Sequence, residues 1–228
     1  MMTTDPPPLT DCTLAVLAGG RGSRMGRPKG LLTVAGRPIL THLLHRLAWP
    51  GPTLLVTAPG RERPPGCEGF DAEAVDPVAD EGPLRGVLTA LEACRTSVLA
   101  VTTVDMPGMG RAQFEWLANQ SGEQDRGMMC DRPAGDRRQL EPFPLLLRAT
   151  AIDVVRARLA QRRRSVHALA TEAGFVVRPA PAAWADTVWV NLNTPADVAR
   201  FDPLIRDGTG GRASPGDRPG EPGQPGRR

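Results

Sequence analysis

A glycine-rich stretch near the start of the chain contains its only lysine. The stretch runs from Leu14 to Leu32 with the sequence LAVLAGGRGSRMGRPKGLL, and the lysine is Lys29. Glycines let backbone N–H groups turn towards an anion, while Arg24 and Lys29 add positive charge. A lysine ammonium is a compact point charge that fits a crowded phosphate more easily than a planar guanidinium. These residues predict a triphosphate-binding turn, and a simple tight turn between a strand and a helix is the alternative.

Two aspartates each follow a segment that is typical of a strand. Asp105 follows SVLAVTTV at 97–104, and Asp76 follows AEAV at 72–75. A carboxylate at the end of a buried strand is costly unless it is paired, ligated or open to a cleft. Beside a triphosphate it suits Mg²⁺, which takes one or two carboxylates together with phosphate oxygens and water. Asp105 is therefore either a metal ligand or the cap of the following turn, and for Asp76 the segment by itself favours a turn residue.

The segment GPLRG at 82–86 begins a predicted helix and has a glycine at each end. Such a helix start lets a nucleotide base or ribose approach the backbone closely. Pro83 is equally a favourable residue in the first turn of any helix. The segment by itself therefore leaves open both a nucleotide contact and a purely structural helix start.

A last polar group lies in the segment WVNLNTP at 189–195. Asn191 and Asn193 are two positions apart, so on an extended strand their side chains would point the same way. Thr194 and Asp197 have the spacing of a helix cap, with Thr194 at the N-cap. The two asparagines are candidate binding residues, and two polar residues at a strand end are the alternative.

Strand-like and helix-like patterns alternate between these segments. Strands are predicted at 13–18, 53–57, 72–75, 97–104, 143–148 and 188–191, and helices at 38–48, 83–94, 111–119, 150–161, 166–173 and 195–201. The alternation predicts an α/β fold, a single Rossmann-like domain with a mostly parallel central sheet flanked by helices. Ligands of such sheets collect at the carboxyl ends of the strands. That edge would hold Gly19-Gly20, Thr57, Asp76, Asp105 and Asn191.

The length of 228 residues fits one domain, predicted at 12–206, with a flexible segment at 1–11 and a disordered tail at 207–228. A net charge of +3 without a basic block interleaved with aromatics gives no support to nucleic-acid binding. The four cysteines are widely spaced and form no zinc pattern with the three histidines. No apolar run approaches the roughly 20 residues that span a bilayer, and no signal-peptide layout is present. We therefore predict a cytoplasmic protein without a membrane partner.

Taken together, the four motifs resemble those of the nucleotidyltransferases that act on the molybdenum cofactor. The opening pattern is LAGGRGSRMGRPKG, followed by GPLRG, by VDMP where the family has Cys-Asp-x-Pro, and by an intact NLNTP. Their order and spacing match across residues 13–201. The resemblance implies a molybdenum cofactor guanylyltransferase, which joins GMP from GTP to the terminal phosphate of the pterin cofactor and releases pyrophosphate.

The resemblance also implies roles for individual residues. Lys29 would contact the phosphates, Asp105 would bind Mg²⁺ and the nucleotide, and both would act in catalysis together with Arg24. Five further residues would contact GTP: Leu17, Ala18, Gly19, Thr57 and Asp76. Asn191 and Asn193 would face the pterin substrate. Thr57 stands where the family often has Asn, and the arginines at 162–164 lie where similar proteins have a basic segment.

Two alternatives remain at this stage. The first is a cytidylyltransferase for the same cofactor, using CTP, although such enzymes commonly have LAAG where this chain has a second glycine, Gly20. The second is a nucleotide-binding protein of the same fold without catalysis, which Val104 and Thr57 leave open. The expected partners are GTP and molybdopterin as substrates, Mg²⁺ as cofactor, and molybdenum-insertion proteins and acceptor molybdoenzymes as proteins.

Overall fold

The structure is a computed structural model that describes residues 6–20 and 22–208, without the side chains of 203 and 205–208. Within the segment predicted to be flexible, Leu9–Asp11 form a short 3₁₀ turn that leads into the first strand. The predicted tail lies outside the described residues from position 209 onwards. All four cysteines are free thiols.

The domain contains nine strands and five helices among the described residues. The strands are β1 (Cys12–Leu17), β2 (Thr33–Val34), β3 (Arg37–Pro38), β4 (Thr53–Thr57), β5 (Ala72–Val75), β6 (Val98–Thr103), β7 (Gly127–Ala134), β8 (Arg137–Arg148) and β9 (Phe175–Pro179). The helices are α1 (Ile39–Leu47), α2 (Pro83–Ala93), α3 (Arg111–Gln120), α4 (Ile152–Ala160) and α5 (Pro195–Gly208). Strands β2 and β3 form a small separate ladder.

The other seven strands form one sheet in the order β5-β4-β1-β6-β8-β7-β9. Four of its six pairings are parallel, and only β8 runs against its neighbours. All six residues of β1 are buried, which explains why this strand has no polar alternation. The predicted mostly parallel α/β sheet is therefore confirmed.

The chain leaves β1 in one direction to form β4 and later crosses to the other side of β1 to form β6. Right-handed crossovers place the intervening helices α1 and α2 on opposite faces of the sheet. The carboxyl end of β1 is thus a topological switch point, where an open α/β sheet forms a crevice for ligands.

Two predicted elements are of a different type in the structure, and the predicted helix at 195–201 is longer, since α5 continues to Gly208 and so includes the first two residues of the predicted tail. The predicted strand at 188–191 is wrong, because Asp186–Trp189 form a 3₁₀ turn followed by a loop. The polar backbone of this region bonds to the loop after β6 instead of a strand edge, as Leu192 N donates to Asp105 O at 2.8 Å. The predicted helix at 166–173 is a 3₁₀ segment, His167–Thr171.

The strands β7 and β9 were not predicted, and β8 is twice as long as expected. The first half of β7 reads GMMC, which contains no β-branched or aromatic residue. The extra length of β8 belongs to a charged hairpin that it forms with β7, joined through Gly135 and Asp136. Polar hairpins carry no continuous apolar run, so the sequence pattern does not reveal them.

Candidate functional site

The glycine-rich turn after β1 packs directly against β4. Ala18 N donates to Val56 O at 2.7 Å, and a Cβ on Gly19 would come within 3.2 Å of Ala58. Gly22 has φ +61°, and a Cβ there would lie 2.1 Å from the carbonyl oxygen of Arg27. At Gly22, glycine is required both by the backbone conformation and by the space available.

Lys29 joins three of the sequence motifs at one point. Its Nζ donates to Asp105 Oδ2 at 2.5 Å and to Asn193 Oδ1 at 2.7 Å. The ion pair is largely screened from water, with 16% and 17% of the two side chains exposed. The only lysine of the chain is therefore held between the predicted metal ligand and one of the predicted pterin-facing asparagines.

Helix α1 supports the loop that carries Asp105. His42 Nε2 lies 3.0 Å from Pro107 O, and Arg46 Nε donates to Gly108 O at 3.0 Å. A carbonyl can only accept, so His42 must carry its proton on Nε2. Burial lowers the pKa of His42, with the carbonyl of Pro107 acting in the opposite direction, which favours the neutral ring.

Sequence reasoning missed this role of His42 and Arg46. The two residues are four positions apart, so they lie on the same side of α1, among the apolar residues of that helix. A buried histidine and an arginine at this spacing on an apolar helix face are the signal that could have indicated a contact with a neighbouring loop.

A cavity of about 410 Å³ opens beside the glycine turn, between the ends of β1, β4 and β6. Five of the predicted nucleotide-site residues line this cavity: Leu17, Gly19, Lys29, Asp76 and Asp105. Val56 and Ala58 line it as well, but Thr57 between them does not. Side chains alternate along a strand, so Thr57 points away and contributes only its carbonyl, which accepts from Asp76 N at 2.9 Å.

Asp76 is buried, with 9% of its surface exposed. Its Oδ1 has no hydrogen-bond partner among the described residues, and Oδ2 faces Gly86 at the start of α2. Burial raises the pKa of this carboxyl above its ordinary value, while the hydroxyl of Thr89 and the charge of Arg85 act in the opposite direction. A buried carboxylate oxygen without a donor costs free energy and suits a ligand that brings its own N–H groups.

Two more acids lie on the same side of the cavity. Asp80 and Glu81 line it next to Asp76. Glu81 accepts from Arg164 Nη2 at 3.2 Å, and Asp80 lies 3.8 Å from Arg61 Nη2. Of the basic segment at 162–164, Arg164 therefore reaches the rim of the cavity through an acid.

The remaining predicted residues do not line the cavity. Ala18 is packed in the core, and Arg24 is exposed on the 3₁₀ turn Ser23–Met25. Asn191 is also exposed, and its Nδ2 donates to Trp189 O at 3.3 Å. The expectation that both asparagines share one face of a strand is wrong, because no strand forms there, and only Asn193 contacts Lys29.

The predicted helix cap is confirmed. Asp197 Oδ2 accepts from Asn193 N at 2.9 Å and from Thr194 N at 2.8 Å, and Thr194 Oγ1 accepts from Asp197 N at 3.3 Å. These bonds lower the pKa of Asp197, with the backbone of Asn193 as the largest cause. The cap orients the segment that delivers Asn193 to Lys29.

A metal site in this cavity could use only one protein carboxylate close to the glycine turn, that of Asp105. No three His, Cys, Asp or Glu side chains come together as a metal-binding group within residues 6–20 and 22–208. The single carboxylate of Asp105 fits Mg²⁺, which completes its shell with phosphate oxygens and water. In the part of the chain that the structure describes, no helix has the length and apolar character needed to cross a membrane.

The sequence of this chain is similar to those of one family of known proteins. Residues 14–174 match the model of the MobA-like NTP transferase domain. The molybdenum cofactor guanylyltransferase of Cupriavidus metallidurans is 33% identical over 189 residues, which are 81% of this chain and 91% of that protein. The protein of the same name from Pseudomonas aeruginosa is 32% identical over 203 residues, 86% of this chain and 97% of its own.

Solved structures with low sequence identity have the same fold. Molybdopterin-guanine dinucleotide biosynthesis protein A from Archaeoglobus fulgidus superposes with a TM-score of 0.69 at 20% identity, covering 86% of this chain and 99% of that one. The 2-C-methyl-D-erythritol 4-phosphate cytidylyltransferase from Thermus thermophilus gives 0.65 at 17% identity, covering 84% and 98%. The chain is therefore a nucleotidyltransferase and belongs to the family of MobA-like NTP transferase domains.

Proposed function

We propose that the protein transfers GMP from GTP to the phosphate of the molybdenum–pterin cofactor and releases pyrophosphate. The observation that carries this proposal is the meeting of Lys29, Asp105 and Asn193 beside the cavity. These residues come from three separate motifs of the chain. The names of the similar proteins supply the identity of the two substrates.

The charges around the cavity give the nucleotide a preferred direction. Lys29 and the glycine turn line the cavity after β1, and three acids, Asp76, Asp80 and Glu81, line it after β5, two strands away. A triphosphate is attracted to the ammonium and to the N–H groups of the glycine turn, and it is repelled by a carboxylate without a cationic hydrogen-bond partner, such as that of Asp76. The phosphates would therefore lie beside Lys29, and the uncharged base would lie beside the acids.

The buried carboxylate of Asp76 favours guanine over cytosine. The Watson–Crick edge of guanine presents two adjacent donors, the ring N1–H and the exocyclic amine, which a carboxylate can accept together. Cytosine presents one amine donor next to a ring acceptor. Asp76 has an oxygen without a hydrogen-bond partner among the described residues, so a guanine would satisfy it better than a cytosine.

The reaction is an in-line displacement at the α-phosphorus of GTP. An oxygen of the pterin phosphate forms the new bond to that phosphorus, and the bond to the bridging oxygen of the β-phosphate breaks. Pyrophosphate leaves with the electron pair. The attacking phosphate is already ionised at neutral pH, so no general base is required, which agrees with the absence of histidine from the matched motifs.

The main task of the protein is to hold two anions together against their repulsion. Lys29 would contact the triphosphate, and the backbone N–H groups of the glycine turn would add donors to it. Arg24, which is exposed on the same turn, would have to approach from the solvent side. Asn193, bound to Lys29, would orient the ammonium towards the acceptor side.

Asp105 would hold Mg²⁺ together with phosphate oxygens of the nucleotide. When bound, the ion would neutralise charge on the triphosphate and make its phosphorus atoms more electrophilic. GTP is a cytoplasmic metabolite, so we also infer a cytoplasmic location, with molybdenum-insertion proteins and acceptor molybdoenzymes as partner proteins.

The proposal is tested by thermal shift with GTP, CTP, ATP and UTP, each with Mg²⁺, and by pyrophosphate release on addition of molybdopterin. We expect the largest rise in melting temperature with GTP, because a ligand that binds only the native state stabilises it, and pyrophosphate only when both substrates are present. A larger shift and turnover with CTP would instead indicate a cytidylyltransferase. A shift without pyrophosphate would indicate a binding protein.

Lys29→Arg tests whether the compact ammonium is required. We expect this variant to lose the GTP-dependent shift, because a guanidinium does not fit between Asp105 and Asn193 at the present distances. Arg27→Met is the matched control, since Arg27 is an exposed cation two positions away in the same turn. Equal shifts in all three proteins would show that nucleotide binding does not depend on Lys29.

A further inference from the structure

The hairpin of β7 and β8 extends past the carboxyl edge of the sheet, beside the site. Leu145 is the residue of β8 nearest this edge that pairs with β6, opposite Val101. Residues 137–141 therefore continue beyond the end of β6 and pair only with 130–134 of β7. We call residues 130–141 the arm. It carries an arginine and a glutamate, Arg132 and Glu141, that form an ion pair.

One ion pair of the arm is largely buried. Arg132 Nε donates to Glu141 Oε1 at 2.6 Å, and only 5% of Glu141 is exposed. Removing a carboxylate from water is costly, and Arg132 is the partner that offsets this cost. The guanidinium of Arg132 is therefore held in one place by a buried anion, although 29% of its side chain is still exposed.

The held guanidinium lies over the indole of Trp189. Arg132 Cζ is 5.8 Å from the centre of that ring, within the range of a cation–π interaction. The indole of Trp189 also packs against Trp184, with the ring centres 5.5 Å apart. Trp184 in turn packs against Trp116 of α3, with the ring centres 5.3 Å apart. Three of the four tryptophans of the chain thus form one cluster beneath the arm.

Trp189 connects this cluster to the site. Its carbonyl accepts from Asn191 Nδ2 at 3.3 Å, and the carbonyl of Asn191 accepts from Asn193 Nδ2 at 3.4 Å. Asn193 then accepts from Lys29 at 2.7 Å. A continuous series of contacts therefore runs from the buried glutamate of the arm to the lysine beside the cavity.

We propose that Arg132 and Glu141 are positioning residues for the acceptor substrate. They hold the indole of Trp189 and, through it, the Asn191–Asn193 segment on the acceptor side of the site. The acceptor has to be an anion on an aromatic heterocycle. The exposed part of the Arg132 guanidinium suits its negative charge, and the half-buried indole of Trp189 suits its ring. The identity of that acceptor as molybdopterin rests on the proposed function.

The first test compares steady-state constants of the full-length enzyme for its two substrates. Arg132→Met and Glu141→Gln should each raise the KM for molybdopterin about tenfold, a change of about 1.4 kcal/mol in binding. The Kd for GTP with Mg²⁺ should stay within about twofold of the wild type, because neither residue lines the cavity. Arg132→Lys keeps the charge but loses the Nε donor, so its KM should lie between those of wild type and Arg132→Met.

The arm contains a matched control pair on its other face. Arg138 Nε donates to Asp131 Oδ1 at 2.6 Å, and this pair is more exposed than the first. Asp131 and Arg132 are adjacent on one strand, so their side chains point to opposite faces. Asp131→Asn should leave both substrate constants within about twofold. An equal rise in KM for Asp131→Asn, or no rise for Arg132→Met, would overturn the positioning role.

The second test uses tryptophan fluorescence and does not depend on turnover. Arg132→Met should shift the emission of the wild-type chain, and the same substitution in a Trp189→Phe background should cause no further shift. An equal shift in both backgrounds would show that Arg132 does not set the environment of Trp189. A wild-type enzyme that releases no pyrophosphate from GTP and molybdopterin would reject the proposed function, whereas the fluorescence result would still decide for or against the positioning of Trp189.

Discussion

Two aspartates at the same edge of the sheet differ in whether the protein supplies partners for their carboxylate oxygens. Asp105 follows β6, is 17% exposed and pairs with Lys29 at 2.5 Å. Asp76 follows β5, is 9% exposed and has one oxygen without a hydrogen-bond partner among the described residues. The first carboxylate is bonded to a cation, whereas for the second only the hydroxyl of Thr89 and the charge of Arg85 act against the effect of burial on its pKa. Removing the partner of Asp105 and removing the charge of Asp76 should therefore change the stability of the protein in opposite directions.

Lys29→Met should remove the ion pair with Asp105 and have the largest effect. Losing one preorganised charge at the reacting phosphates should lower kcat/KM for GTP by about a hundred- to a thousandfold, measured by pyrophosphate release. The ligand-free variant should also be less stable by about 1.5–3 kcal/mol in chemical denaturation, because Asp105 loses a charged donor. Arg27→Met should change neither quantity, and a stable but inactive Arg27→Met would contradict the assignment.

Gly108→Ala should disturb the loop that carries Asp105 without removing a charge. A Cβ on Gly108 would lie 1.9 Å from Thr187 O and 2.5 Å from Thr187 C, and both of these are backbone atoms that cannot rotate away. The variant should lose about 1–3 kcal/mol of stability and some activity as the loop shifts. Gly20→Ala is the stability control, since a Cβ there would meet nothing within 4 Å. Equal melting temperatures for all three proteins would mean that the loop yields easily.

Asp76→Asn should stabilise the ligand-free protein. Because burial raises the pKa of Asp76, the unfolded chain holds fewer protons than the native one, and native stability falls as pH rises above about 3.8. Removing the charge should abolish this loss and raise the melting temperature at neutral pH by about 2–4 °C, which is about 1 kcal/mol for a domain of this size. The shift caused by GTP should become smaller.

Asp71→Asn is the control of opposite sign for Asp76→Asn. Asp71 Oδ2 accepts from Thr53 N and Thr53 Oγ1, both at 2.8 Å, and these bonds lower the pKa of Asp71, with the hydroxyl first. This carboxylate stabilises the native state above its ordinary pKa, so Asp71→Asn should lower the melting temperature. A fall in both variants would show that Asp76 has a partner that stabilises its charge.

The smallest effect should come from His42, as a dependence on pH. Its pKa is lowered by burial from about 6.5, so the unfolded chain binds the proton first as the pH falls. Stability should therefore be complete above about pH 6.5 and decline below it. His42→Gln can still donate to the carbonyl of Pro107 but cannot titrate. Denaturation between pH 5 and 8 should show a steeper decline for wild type than for this variant, and parallel curves would contradict the assignment.

The central parallel strands of the sheet could be predicted from the sequence because they are buried on both faces. Continuous apolar runs mark β1, β4 and β6, and the bounds of β4 agree with the prediction. The antiparallel half could not be predicted to the same extent. There the arm carries alternating charges, and the segment at 186–192 forms its backbone hydrogen bonds with a loop.

The candidate site shows the same division. Lys29, Asp76 and Asp105 could be selected by motif and by their place after strands. The motif could not show that Thr57 points away while Ala58 lines the cavity, or that Asn193 and not Asn191 contacts Lys29. Such details depend on side-chain direction at strand ends, which shifts with a single position.

The sequence by itself determined the α/β elements, their alternation, and which polar residues would collect at the carboxyl edge of a parallel sheet, because these follow from local apolar patterns and from the spacing of motifs. Only the tertiary structure decided which of them meet. Lys29 and Asn193 are 164 positions apart, and Arg132 reaches Trp189 only because the arm extends past the sheet. The physical reason is that such contacts depend on strand order, register and loop packing, which are properties of the whole chain.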